Sequence, residues 1–194
     1  MVIKQDIYDG SLIHKRFAYK FFKHDTLATG NLVVFRAPMN VTTNLIDLED
    51  SMSNDYIWSD DAINFCWEIP MIDNAMGAVA FQRLFNTQIA TILHKYINAP
   101  IEMKGDDLMV HKEHDQGGIV QQKGKASVSI THVYDRVALG HTAINITAGK
   151  KAPAFAFSTK LTNDEVESFI DDVTQAFYNM CDDMFVATTK IQLR

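Results

Sequence analysis

Only two cysteines occur in 194 residues, Cys66 and Cys181, both in apolar segments and far apart. That excludes a disulfide framework and the close ligand spacing of a zinc site, and leaves buried thiols as the expected state. Prolines number four and are scattered; with no Pro/Ser-rich linker, low-complexity tract or internal repeat, a single domain over residues 1–194 is predicted. No apolar run approaches the roughly 20 residues a membrane span requires. The opening MVIKQDIYDG has neither an uncharged hydrophobic stretch nor a small-residue cleavage site, which points to the cytoplasm. Basic charge is also short, 18 Lys and Arg against 24 Asp and Glu for a net charge of −6. Nucleic acid is thereby excluded as the expected partner, because its binding needs a cationic excess that displaces counterions. The local run His14-Lys15-Arg16 with Lys20 and Lys23 reads as the solvated face of a helix.

What is present is a mixture of strand and helix signals without strict alternation. Asp9-Gly10-Ser11 is a turn and N-cap signal, and Leu12, Ile13, Phe17, Phe21 and Phe22 follow at helical spacing, predicting a first amphipathic helix. "NLVVFRAP" and "INFCWEIP" are β-branched or apolar runs, each stopped by proline, and read as strands. Between them "NLIDLEDSMSNDYIWSDD" reads as loop with a short helical turn. From Ala75 to Ile97, apolar residues repeat at three and four positions, and Pro100 forbids much continuation, which predicts a long helix. In "IEMKGDDLMV" the triplet Gly105-Asp106-Asp107 marks a hairpin. Gly117-Gly118 reads as a hairpin connection needing positive φ or as a loop that closes over ligand. Thr162-Asn163-Asp164-Glu165 is a capping box, and the helix it opens is expected over Asn163 to Met184. Together these predict an α+β fold, a mainly antiparallel sheet with long helices packed on one face.

The candidate site lies in "KGKASVSITHVYDRVALGHTAINIT", which reads as two paired strands. Alternation puts Ala126, Val128 and Ile130 on a core face and Lys125, Ser127, Ser129 and Thr131 on a polar one. In the second strand Ile144 and Ile146 point inward, and His141, Ala143 and Asn145 share the other side. A hairpin centred near Asp135 sets Lys125 opposite Asn145 and Ser129 opposite His141, so that lysine, imidazole and carboxamide occupy one face. That face is either a solvated surface or the floor of a binding site, since a lysine fixed on a strand offers a compact charge to a carboxylate, phosphate or oxyanion. His111-Lys112-Glu113-His114-Asp115, Asp60-Asp61 and the Asp47/Glu49/Asp50 cluster fall short of a metal site, and none is assigned. No Gly-x-Ser-x-Gly elbow supports a serine hydrolase.

Lys125-Ala126-Ser127-Val128-Ser129-Ile130 and His141-Thr142-Ala143-Ile144-Asn145-Ile146 resemble the lysine strand and the His-Gly-x-Ala-Leu-Asn-Val strand of lipoyl and octanoyl transferases, whose fold and lysine the biotin and lipoate ligases share. Gly105-Asp106-Asp107-Leu108 resembles the segment before the lysine strand in those ligases. Tyr8-Asp9-Gly10-Ser11, Leu32-Val33-Val34-Phe35-Arg36, Asp47-Leu48-Glu49-Asp50 and Ser59-Asp60-Asp61 resemble an uncharacterised, mainly archaeal family of the same fold. The resemblance implies a biotin/lipoyl protein ligase-like architecture related to class II aminoacyl-tRNA synthetase cores. It also implies a small-molecule carboxylate, acyl or acyl-adenylate ligand, with Lys125 and His141 as catalytic candidates and Arg36, Asn145, Ser127, Ser129 and Asp107 as ligand-binding ones. The sequence departs from the pattern in several places. Arg36 is followed by Ala37-Pro38-Met39-Asn40 instead of a glycine-rich arm. "TAGKKAPAFAFS" lacks the transferase cysteine, which excludes a thioester route through that position. His141 precedes Thr142 where the pattern has glycine, and no Gly-Arg-Gly-Arg adenylation loop occurs, which argues against ATP. No cofactor is named. The alternative expectation is a non-catalytic homodimer that keeps the fold without the chemistry.

Overall fold

A computed structural model describes residues 6–112 and 122–191. Its strands and helices follow in the order β1 (Asn31–Val41), β2 (Ile57–Ile69), β3 (Ile101–Lys104), β4 (Asp107–Lys112), β5 (Gln122–Lys125), β6 (Ser127–Tyr134) and β7 (Val137–Thr147), with helices α1 (Ala18–Phe22), α2 (Leu48–Ser53), α3 (Ala75–Ile97) and α4 (Asn163–Thr189). A four-stranded sheet runs β1-β2-β7-β6 and a three-stranded sheet β3-β4-β5, with every strand pair within them antiparallel. This is the α+β architecture expected from the mixed pattern. Among the described residues no helix is long and apolar enough to cross a membrane.

Helices α3 and α4 cover one face of the large sheet. Leu32 and Val34 of β1, Ile63, Phe65, Trp67 and Ile69 of β2, and Ala138, Ile144 and Ile146 of β7 meet Phe81, Phe85, Ile89, Phe169 and Phe177 from the helices. Aromatic edges meet faces here: Phe85 and Phe177 lie 5.2 Å apart by ring centroid at 71°. Gly140 sits beneath the Trp67 indole, in space that any Cβ would occupy. α3 has the extent the periodicity predicts; Asn74 caps its start by accepting from the Gly77 N–H, and Asn98 in the left-handed region ends it. The capping box at Thr162 forms with Glu165, and α4 runs on to Thr189, past the expected Met184.

The opposite face has its own apolar cluster, built from Val33, Phe35, Ala37 and Met39 of β1, Ala62 and Cys66 of β2, and Leu139 and Ala143 of β7, against Tyr8, Ile13 and Phe17. The N-terminal segment on this face is not the continuous helix its apolar spacing predicts. It forms a 3-10 turn at Ser11–His14, an extended break at Lys15 and then the five-residue α1. The reason is tertiary: the buried Glu68 carboxylate accepts hydrogen bonds from the backbone N–H groups of Phe17 and Ala18 and from Arg16 Nε and Nη2, capturing donors in mid-segment. β2 likewise starts at Ile57, earlier than expected, because a bulge at Asp61/Ala62 lets an acidic stretch stay in the sheet, with Asp61 answered by Arg36 and Asp60 by the Trp58 indole N–H.

Asp135 and Arg136, with φ of 49° and 60°, close the β6–β7 hairpin as a two-residue turn. The centre of symmetry therefore lies between these residues, not on Asp135. Ser129 pairs with Thr142, and His141 with Ile130, one residue away from the expected register. A one-residue slip exchanges faces, so Ser129 turns toward α3, while Val128 and Ile130 join the N-terminal cluster.

Candidate functional site

A cavity of about 440 Å³ opens on the N-terminal side of the large sheet, a size that suits a small molecule. Its floor is β6 and β7, which contribute Val128, Ile130, His141 and Asn145; Tyr8, Gly10 and Ile13 form one wall and residues 44–47, 50 and 55–58 another. Pro153, Phe155 and Ala156 close it beside Lys125 and Asp107. The lining thus combines apolar residues with neutral polar ones, five aspartates and one lysine.

Lys125 is fixed through its backbone. It pairs with Met109 of β4 on one side, and on the other its N–H donates to the Phe155 carbonyl (2.8 Å) while its carbonyl accepts from the Phe157 N–H (2.8 Å). Ala126 then carries the chain from the small sheet to the large one, donating to the Leu108 carbonyl and accepting from the Asn145 N–H. This crossing, and not strand alternation, brings the lysine to the cavity. Its ammonium lies 2.8 Å from Asp107 Oδ1, and both side chains are roughly three-quarters buried.

His141 is buried on the floor, its ring stacked on Tyr8 with centroids 4.0 Å apart. Asn64 Nδ2 is engaged by the Ala37 and Ala62 carbonyls, so Asn64 Oδ1 accepts from His141 Nε2–H at 2.9 Å, and Nδ1 is the unprotonated nitrogen. Burial pushes the imidazole pKa down to about 3, which keeps the ring neutral near pH 7. Burial, and to a smaller extent Cys66 and Asp9, also raises the pKa of the Tyr8 hydroxyl. Asn145 is 3% exposed, and among the described residues its Oδ1 has no hydrogen-bond partner.

The structure therefore gathers Lys125, Asp107, His141 and Asn145 around one cavity, and separates the other candidates from that group. The cavity reaches over the β6 edge to Ser127, Ser129 and Asp106, but their polar atoms are already used. Ser127 Oγ accepts from the Leu108 N–H, Ser129 Oγ accepts from Gln82 Nε2 and bonds Thr142 Oγ1, and Asp106 is held by Gln82 and Arg83. Arg36 projects to the helix side, where it is bidentate to Asp61 and donates to Asn163 Oδ1 at the start of α4. It is absent from the cavity lining. Cys66 and Cys181 are buried thiols whose pKa values burial raises, that of Cys181 to about 12. Of the weighed metal candidates, Glu113, His114 and Asp115 lie outside the described residues, as do Gly117 and Gly118. Among the described residues no group of three or more His, Cys, Asp or Glu side chains has the arrangement of a metal site.

Strand periodicity does not reveal Tyr8, Ile13, Asp50, Asp55 and Trp58 as lining residues. A signal was nevertheless present. Two of the segments that carried the family resemblance, residues 8–10 and 47–50, meet at this cavity from 40 positions apart.

Comparison with known proteins identifies the family and the fold. The chain belongs to the family described as a domain of unknown function (DUF366), whose sequence model matches residues 1–192. A protein of unknown function from Pyrococcus horikoshi has a similar structure, with a TM-score of 0.81 at 24% identity over 100% of this chain and 97% of that one. Biotin protein ligase from Aquifex aeolicus in complex with biotin and ATP gives a TM-score of 0.56 at 12% identity, covering 93% of this chain and 70% of the ligase. LipL1 of P. falciparum, in complex with lipoate, gives 0.56 at 13% identity, covering 92% of this chain and 60% of that one. At these identities the ligases establish the fold, which is that of the biotin and lipoate protein ligases. Among curated proteins none matches this chain in sequence.

Proposed function

We propose that the cavity binds a small carboxylate or acyl ligand, with Lys125 as the group that meets its carboxylate, phosphate or acyl oxygen. The observation that carries this reading is the fixed, largely buried Lys125–Asp107 pair at one end of a cavity whose floor offers Val128 and Ile130 to an apolar chain. An incoming anion exchanges Asp107 for itself on the ammonium, and the aliphatic part covers the apolar floor. Structures of the same fold in complex with lipoate and with biotin and ATP support this class of ligand. Transfer or ligation of the acyl group is the activity this placement serves. His141, neutral and engaged with Asn64, acts in it by holding Tyr8 and the floor in position and not by moving a proton.

Thermal unfolding against lipoate, octanoate, biotin, ATP and the corresponding acyl-adenylates tests the reading, since a ligand at a hundred times its Kd stabilises by about 2.7 kcal/mol. A shift with an acyl ligand that disappears in Lys125→Met supports it. A folded Lys125→Met variant that keeps the shift removes the lysine from the site. A second reading, a homodimer without chemistry, draws on the exposed apolar run Met184, Phe185 and Val186 at the end of α4. Light scattering that returns twice the 21.9 kDa chain mass, in a protein that no acyl probe stabilises, would favour it.

A further inference from the structure

Tyr8 and His141 form the end of the cavity that is far from Lys125. Asn145, whose N–H donates to the Ala126 carbonyl next to Lys125, and His141 lie four residues apart on one face of β7, about 13 Å at the usual strand rise. Ala143 lies between them and pairs with Val128, and His141 pairs with Ile130. The floor therefore runs from a charged end through an apolar middle to a pair of stacked rings.

Each ring brings one polar atom that the fold leaves unused. His141 Nε2–H donates to Asn64, so Nδ1 is an acceptor, and among the described residues no donor reaches it. The Tyr8 hydroxyl likewise has no hydrogen-bond partner among them. Both residues are only 2% exposed. Their free atoms are nevertheless not sealed in: among the described residues, the partnerless polar side-chain atoms cut off from solvent are Trp67 Nε1 and Asn145 Oδ1. Tyr8 Oη and His141 Nδ1 therefore keep accessible surface, and the cavity is the space that both residues line. The pair is also held still. Tyr8 N–H donates to the Pro38 carbonyl and its own carbonyl accepts from the Asn40 N–H, both at 2.9 Å. Gly10, at φ 85°, lies against Asn44, whose Nδ2 donates to the Asp9 carbonyl at 2.9 Å. A donor and an acceptor fixed side by side are preorganised for a group that accepts and donates in return. Both rings are neutral near pH 7, since burial lowers the His141 pKa and raises that of Tyr8, so an uncharged group suits them. A plain hydrocarbon end strips water from both atoms and returns no hydrogen bond.

We infer that the ligand is two-ended: its carboxylate meets Lys125, its aliphatic middle covers Val128 and Ile130, and its far end carries a hydroxyl or carboxamide that donates to His141 Nδ1 and accepts from the Tyr8 hydroxyl. This rests on the carboxylate reading of Lys125 given above and adds the far end to it. Tyr8 and His141 give selectivity against simple fatty acids, which leave both atoms unpaired.

Isothermal titration of the full chain with four eight-carbon probes separates the two claims: octanoate, 8-hydroxyoctanoate, the monoamide of octanedioate, and octane-1,8-diol. The expected result is that the better of the hydroxy acid and the monoamide binds about ten-fold or more tighter than octanoate. Tyr8→Phe, which keeps the ring on His141 and removes the hydroxyl, should bring that probe down toward octanoate measured in the same variant. Circular dichroism confirms that the variant is folded. Octanoate binding as tightly as both polar-ended acids overturns the far-end site and leaves the carboxylate reading standing. A folded Tyr8→Phe variant that keeps the full preference also overturns it, by removing the hydroxyl from the contact. The diol binding as tightly as the hydroxy acid overturns the two-ended ligand by removing the Lys125 contact. Absence of binding by all four at millimolar concentration overturns both claims.

Discussion

On the helix side of the large sheet Ser129, Thr142, Gln82 and Asn86 satisfy one another: Gln82 donates to Ser129, Ser129 bonds Thr142, Thr142 donates to Asn86, and Asn86 donates to the Asp106 carbonyl. On the cavity side, three residues further along the same strand, Asn145 Oδ1 is buried with no hydrogen-bond partner among the described residues, and Asp50 and Asp55 line the cavity with no ion pair among those residues. Polar residues of similar type therefore do different work on the two faces. The helix face spends its hydrogen bonds on the fold, and the cavity face holds some in reserve. Polarity along a strand does not by itself mark a binding surface.

Aromatic truncation on the helix face is the strongest challenge to this contrast. Phe85→Ala removes a ring packed against Phe65, Phe81 and Phe177 and is expected to cost about 3–5 kcal/mol, whereas Ile130→Ala on the cavity floor costs less than about 2 kcal/mol. Urea unfolding of the two variants measures the difference, and equal losses would show both faces packed as core.

Acid comes next, acting on the cavity floor through His141. Its folded-state pKa of about 3 lies below the ordinary 6.5, so the unfolded chain takes up the proton first. The contribution is complete above pH 6.5 and declines by about 1.4 kcal/mol per unit as the pH falls from there toward 3. His141→Gln should flatten the stability profile in that window relative to the parent chain. Parallel profiles would mean that the imidazole is already accessible to protons in the folded state.

A smaller effect compares one hydroxyl with one amide. Thr142→Val strands the Asn86 oxygen and the Ser129 hydroxyl, for an expected loss of about 1–3 kcal/mol. Asn145→Leu removes an acceptor with no donor among the described residues, so its cost in urea unfolding should be the lower of the two. A greater cost for Asn145→Leu would place that side chain among the structural groups. The smallest change is expected from Arg36→Gln, which breaks a partly exposed pair with Asp61 worth about 0–1 kcal/mol and leaves the affinity of any acyl probe as it was. Weakened binding in that titration would bring Arg36 into a site from which the folded structure separates it.

Several elements follow from local sequence because their causes are local. Asn74, Asn98 and Pro100 bound α3 by capping and by a missing donor, and Thr162 with Glu165 starts α4. The inward Ile144 and Ile146 and outward His141, Ala143 and Asn145 follow from the two-residue period of one strand. Pairing between strands was less legible. The turn Asp135–Arg136 shifts the register by one residue, and that single step moves Ser129 to the helices and brings Val128 and Ile130 to the cavity. The N-terminal helix failed for another reason, because Glu68, some fifty residues away, takes the backbone donors that helix continuation would need.

By itself the sequence determined the α+β composition, the two long helices with their caps, the buried thiols and the presence of Lys125, His141 and Asn145 in one short stretch. Periodicity and capping are decided by neighbours within a few positions, which a chain carries wherever it folds. Only the tertiary structure decided that Lys125 crosses between two sheets to meet Asp107, that Arg36 lies on the far side, and that Tyr8, Asp50 and Asp55 converge on the same space. Those placements depend on sheet register and on which buried groups remain unpaired after packing, and both are properties of the assembled fold.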